Sequence, residues 1–151
     1  MVENNLKELL FRFYFDAIET ARFEENIYEC SSLEEFIGSD DYIDLISVDY
    51  KSGRGVEEAR RIVKRIYDRK YENQPHRDYA VYVAKTSLVD GADIVKGCEL
   101  LSNLSIDYEY VDSVFCGYHD ELQSHPDQLD FYKDRILEDF KQLLIKESSV
   151  S

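Results

Sequence analysis

The chain has 151 residues, with 32 acidic and 18 basic side chains and a formal net charge of −14. That length favours one domain, and 44% hydrophobic content with 13% aromatics supports a packed core rather than a disordered acidic tail. The charge argues against nucleic-acid binding, because neutralising phosphates requires basic surface.

No apolar run approaches the roughly 20 residues that span a bilayer, so no membrane association is expected. Glu3, Glu8 and Arg12 interrupt the apolar residues of the N-terminus, unlike the basic-then-apolar order of a secretory signal. Cys30, Cys98 and Cys116 are odd in number and widely spaced, which fits reduced thiols and a cytoplasmic location. The charge is unevenly spread. Residues 1–55 carry a net −8, residues 56–77 a net +3 and residues 78–151 a net −9.

The first predicted helix runs from Asn5 to Ala21, where Leu6, Leu9, Leu10, Phe13, Ala17 and Ala21 keep helical spacing. Ser31 or Ser32 then caps a short helix through Phe36, with Gly38 placed for its end. Tyr42 to Tyr50 reads either as a strand or as a short helix, since Ile43, Leu45, Ile46 and Val48 would line either one. Lys51-Ser-Gly-Arg-Gly leads into a helix from Val56 to about Lys70. Its apolar side is Val56, Ala59, Ile62, Val63, Ile66 and Tyr67; Arg60, Arg61, Lys64, Arg65 and Arg69 lie opposite. Glu57 and Arg61 are spaced for an i,i+4 pair.

Tyr79 to Ser87 is ambiguous in the same way, with strand propensity but also the pattern of a buried helix. A helix follows Asp90-Gly91 and runs through Leu104. Ile106 to Leu122 separates cleanly only as a helix: Ile106, Tyr110, Val111, Val114, Phe115, Tyr118 and Leu122 gather, while Glu109, Asp112 and Asp120 lie opposite. Gly117 interrupts it at a cost of roughly 1 kcal/mol relative to Ala. Pro126 opens the last helix, striped by Leu129, Tyr132, Ile136, Leu137, Phe140, Leu143 and Leu144. The whole predicts an all-α bundle of about six or seven helices. The alternative is a small α/β domain in which 43–49 and 79–85 pair as strands.

Chemistry-bearing patterns are few. Cys116, His119 and His125, with Asp120 and Glu121 between them, are ligand types that zinc accepts, but their spacing matches no established site. Cys116 with His119 as base makes a poor nucleophile, since Glu109, Asp112 and Asp120 would disfavour the thiolate. Lys51–Gly55 precedes a helix as an anion cradle would, yet lacks P-loop spacing, and a turn with positive-φ glycines explains it as well. For the basic face from Arg60 to Arg69, strongly negative surroundings favour an internal role, pairing with acidic neighbours, over phosphate binding, and a solvated amphipathic face is the default reading. Asp40, Asp41, Asp44 and Asp49 lack the spacing of a calcium loop. No cofactor is expected. The acids as a population either solvate the surface or form a face complementary to a basic partner, and the twelve tyrosines would supply anchors for the latter.

Three stretches carry a family resemblance. Leu45-Ile-Ser-Val-Asp-Tyr-Lys-Ser-Gly-Arg-Gly-Val-Glu-Glu-Ala-Arg resembles a helix end, a Tyr-x-x-Gly turn and a helix starting with acids. Tyr79-Ala-Val-Tyr-Val-Ala-Lys-Thr-Ser-Leu-Val-Asp-Gly resembles the buried helix and turn that follow. Ile94 to Leu104 and Val111-Asp-Ser-Val-Phe-Cys-Gly-Tyr fit the next helical pair. Together they resemble the all-helical immunity proteins that bacteria pair with secreted polymorphic DNase toxins, over about half the chain. The resemblance implies a non-enzymatic inhibitor that binds a toxin domain and blocks its active site or an adjacent surface.

The function expected is neutralisation of a basic nuclease toxin through an acidic surface. Glu109, Asp112, Asp120 and Glu121 form the first candidate patch, and Asp40, Asp41 and Asp44 the second. The alternatives are a nucleic-acid mimic that inhibits a restriction or defence enzyme, and a small metal-dependent hydrolase using Cys116, His119 and His125.

Overall fold

A computed structural model of the chain describes residues 2–71, 75–107 and 113–148. Among them every regular element is helical: α1 (Val2–Tyr14), α2 (Thr20–Glu29), α3 (Leu33–Ile37), α4 (Ser39–Ile46), α5 (Gly53–Lys70), α6 (Pro75–Ser87), α7 (Ile94–Asp107), α8 (Val114–Ser124) and α9 (Leu129–Ser148). The all-α reading holds. The strand alternative fails at both segments, since 43–46 lie in α4 and 79–85 in α6. Among the described residues no helix is long and apolar enough to cross a membrane.

The chain divides between Pro75 and His76 into two units, the first holding α1 to α5 and the second α6 to α9. In the first unit the expected helix from Asn5 to Ala21 is broken. Asp16 adopts φ 58°, a left-handed conformation that Asp tolerates better than most residues, and the chain turns there before α2. Phe13 and Phe23 stack across the turn with centroids 3.9 Å apart, and Tyr50 meets both rings edge-on. The Tyr50 hydroxyl donates to the Leu45 carbonyl at 2.6 Å; burial, chiefly, pushes its pKa up from the usual 10.0. Against this layer lie Leu6 and Leu10 of α1, Ile27 of α2, Leu33 and Ile37 of α3, and Ala59, Ile62, Val63, Ile66 and Tyr67 of α5.

The glycines before α5 behave differently from the expectation. Positive φ is found at Gly38, which ends α3, and at Gly91, not at Gly53 or Gly55. Gly55 is instead required by contact, because a Cβ there would collide with the Asp49 carbonyl. Ser52 caps α5 by accepting from the Gly55 amide at 2.9 Å.

In the second unit, Phe115 of α8 and Phe140 of α9 stack at 5.4 Å, with Cys98, Leu101, Leu122 and Ile136 buried alongside. Arg77 of α6 pairs with Glu147 of α9 at 2.5 Å and donates to its carbonyl at 2.7 Å. The expected helix from Ile106 to Leu122 is not continuous: α7 extends to Asp107, Ser113 is a turn residue, and α8 begins at Val114. Tyr108 to Asp112, which include Glu109, Tyr110 and Val111, lie outside the described residues. Pro126 opens a 3-10 turn that leads directly into α9.

Two glycines test this packing in opposite directions. A Cβ on Gly97 of α7 would collide with the Ser87 side chain and fall 3.1 Å from the Phe140 ring, whereas one on Gly117 of α8 meets open space. Gly97→Ala is expected to destabilise by about 1–3 kcal/mol, and Gly117→Ala to stabilise by about 0.5–1 kcal/mol. Urea unfolding of both variants measures this, and stabilisation by Gly97→Ala would contradict the packing described.

The thiols provide a second test. Cys98 is fully buried, and desolvation first, then the Asp139 carboxylate, pushes its pKa from 9.0 up to about 12. The unfolded chain therefore loses that proton first as pH rises. The thiol's contribution to stability is complete below about pH 9 and declines as pH climbs towards 12. At about pH 8 a thiol reagent should label half-buried Cys30 and Cys116 in the native protein, and Cys98 only on unfolding.

Candidate partner-binding surface

The acids are concentrated more sharply than the three-segment division reveals. Residues 16–50, spanning α2 to α4, carry eleven acids against the single base Arg22, a net −10 of the chain's −14. α5, which packs against α4, is the opposite, with seven bases and three acids. Sequence spacing puts the acids of α4 on two sides of the helix, and the structure separates their roles.

Asp41 faces inward and is 2% exposed. Arg65 donates to its Oδ1 from Nη2 at 2.8 Å and from Nε at 3.1 Å, while Arg69 pairs with Oδ2. Asp41 therefore belongs to the α4–α5 interface and is removed from the expected partner-binding patch: a buried carboxylate needs fixed cations, and these come from the next helix. Asp40 is exposed. Asp44 is exposed as well, although Arg65 also reaches its Oδ2 at 2.9 Å. Arg69 donates in addition to the Ile37 carbonyl. The internal role expected for the basic face is thus found at Arg65 and Arg69. Glu57 pairs with Arg60 at 3.6 Å, one residue short of the predicted Arg61.

Ile43, expected to line a strand or a helix, instead lies outward, 56% exposed between Asp40 and Asp44 on the outer side of α4. Tyr28 of α2 is 52% exposed. Its single hydroxyl proton is shared between Glu24 Oε2 at 3.2 Å and the Ile46 carbonyl at 3.1 Å, bridging α2 to α4. Desolvation, with the Glu24 bond and charge adding to it, raises the pKa of this hydroxyl. Neither residue was singled out from the sequence. The available signal was the isolated apolar residue between two acids and the Glu24–Tyr28 spacing of one helical turn.

Of the first candidate patch, Asp120 is exposed and Glu121 half-buried on α8; Glu109 and Asp112 lie outside the described residues. On the same helix the Tyr118 hydroxyl donates to the Asp139 carboxylate. Desolvation, then that bond, pushes its pKa up to about 12. Cys116 Sγ accepts from the Ser102 hydroxyl at 3.2 Å, His119 is half-buried and His125 is exposed at the C-terminal end of α8. Among the described residues no three of His, Cys, Asp and Glu are grouped to hold a metal ion.

Lys51–Gly55 is also spoken for. The amides of Lys51 and Ser52 donate to Asp49, and those of Gly55 and Val56 to Ser52. Beside α5 a groove of about 460 Å³ is lined by Arg60, Arg61, Lys64 and Arg65 together with Tyr14, Glu57 and Asp68. Among its cations Lys64 pairs with Asp68 at 2.5 Å, Arg65 with Asp41 and Asp44, and Arg60 with Glu57 while lying over the Tyr14 ring.

Asp41→Asn should destabilise the first unit by about 1–3 kcal/mol, because a buried acceptor of two charge-assisted contacts loses its charge. Asp44→Asn, at an exposed pair, should cost under about 1 kcal/mol. Chemical denaturation separates them, and equal effects would remove the distinction drawn between the two carboxylates. Compared with family models, curated proteins and solved structures, the chain matches none.

Proposed function

We propose that the chain is a bacterial immunity protein that binds and neutralises a basic nuclease toxin. The observation that carries this reading is the net −10 gathered on residues 16–50, where the cations contributed by α5 are committed to Asp41 and Asp44. Those pairs offset part of it, and the acidic excess that remains speeds encounter with a basic protein and repels nucleic acid and anionic membrane. The resemblance of residues 45–122 to helical immunity proteins supports the same reading. The acids available for contact are Asp40, Asp44 and Asp120, with half-buried Glu121 at the edge. In this reading the chain acts by occupying the toxin's surface, in the cytoplasm of the cell it protects, without chemistry of its own.

The test is growth rescue. Secreted-toxin nuclease domains from the source genome are expressed in a sensitive strain with and without this chain. The expected result is relief from one basic domain, a stoichiometric complex weakened by raised salt, and full relief by the Cys116→Ser and His119→Ala variants. Relief from none of the toxins overturns the proposal, and loss of relief in those two variants would favour a catalytic mechanism.

A further inference from the structure

The structure points to a more specific feature: Tyr28 and Ile43 are the apolar anchors of a docking face formed by α2 and α4. We propose that its occupant is a basic protein presenting an apolar or aromatic side chain within a ring of cations. The inference deepens the reading above and rests on it for the identity of the partner, but not for the location of the face.

Singly exposed hydrophobic residues are ordinary. Two observations set these two apart, and a third, which Phe131 shares, suits them to a basic partner. They belong to helices that pack together, and the Tyr28 hydroxyl reaches the Ile46 carbonyl, one turn along α4 from Ile43. The Tyr28 hydroxyl already has two acceptors within reach of its single proton, so its ring is presented with reduced rotamer freedom to lose on binding. Both side chains are flanked by acids that approach from their own helices, Glu24 and Glu25 beside Tyr28, and Asp40 and Asp44 beside Ile43. An apolar centre with a charged rim is the arrangement in which a few buried anchors carry most of the affinity and the rim selects the partner.

Charge decides the occupant. A second copy docking isologously would set the same net −10 against itself. A lipid surface with anionic headgroups is repelled for the same reason. A basic protein gains from both parts of the face at once.

The experiment places a photoreactive benzoylphenylalanine at position 28 or 43 of the full chain in its source cells, with positions 131 and 145 as comparisons. Phe131 and Ile145 of α9 are equally exposed and serve as apolar controls. The expected result is one and the same adduct from 28 and 43, with a protein of pI above about 9, absent from 131 and 145, and lost when Glu25→Lys and Asp40→Lys are introduced together. With that protein purified, Tyr28→Ala and Ile43→Ala should each weaken binding roughly 10- to 100-fold, mainly through faster dissociation. The charge reversals should act mainly on association and reduce its salt dependence. Thermal melts confirm folding, and Tyr28→Phe, which keeps the ring, should lose much less affinity than Tyr28→Ala.

No adduct from 28 and 43, equal adducts from the control positions, an adduct with another copy of the chain, or an acidic partner overturns the proposal. Growth rescue separates it from the function above. Undiminished toxin relief by the Tyr28→Ser and Ile43→Ser double variant means that the face is wrong and the immunity reading right. A basic partner held by this face in a cell where no toxin is relieved means the reverse.

Discussion

The Asp41 carboxylate, closed off between α4 and α5 and met by Arg65 and Arg69, is the contact on which the first unit's acidic surface depends. α4 buries Leu45 as any apolar side chain is buried, but the Asp41 carboxylate beside it can be buried only where something cationic awaits it. α5 supplies that from the side that would otherwise be solvated. Because Arg65 also reaches Asp44, one guanidinium ties the inner and outer acids of α4 together. The helix is thereby held with Leu45 inward and with Asp40, Ile43 and Asp44 outward. Fixed charge on one side of a helix thus determines which charges remain available on the other.

Much of the helical framework was legible because periodicity reports burial on one side. The apolar stripe of α5 matches its buried residues from Ala59 to Tyr67, and that of α9 matches Ile136, Phe140 and Leu143. The break at Asp16 was not legible, because Ala17 and Ala21 stay on the helical period of α1 although the chain has left its axis. α4 and α6 were ambiguous for a different reason: apolar residues also lie off the buried stripe, at exposed Ile43 in α4 and half-buried Val81 and Tyr82 in α6, which blurs the contrast that separates a helix from a strand. Gly53 and Gly55 look like turn glycines in sequence. Only the approach of the Asp49 carbonyl shows that Gly55 answers to space rather than to φ.

The candidate surface was legible in sign but not in membership. Counting charges locates an acidic excess near residues 40–44, yet Asp40, Asp41 and Asp44 have the same chemistry, and Asp41 is buried against Arg65 and Arg69, 24 and 28 residues further along the chain. No local pattern encodes that distance. Tyr28 and Ile43 were missed for the complementary reason: sequence spacing assigns apolar residues to a core by default, and exposure is visible only after the helices have chosen their inner faces.

The same division of labour governs how such a face works. Long-range charge is screened over roughly 8–10 Å at ordinary ionic strength, so in the proposed face the acids of α2 to α4 would act on the approach of a partner and lose influence as salt rises. Burial of an aromatic ring and a branched aliphatic side chain is insensitive to modest salt and acts only on contact, where it slows departure. A surface with acids alone would recruit basic proteins quickly and release them quickly. One with Tyr28 and Ile43 alone would be sticky without being selective. Set together on α2 and α4 in the proposed face, they would make encounter depend on charge and persistence depend on shape, which is what distinguishes a specific binder from an acidic surface that merely keeps a protein in solution.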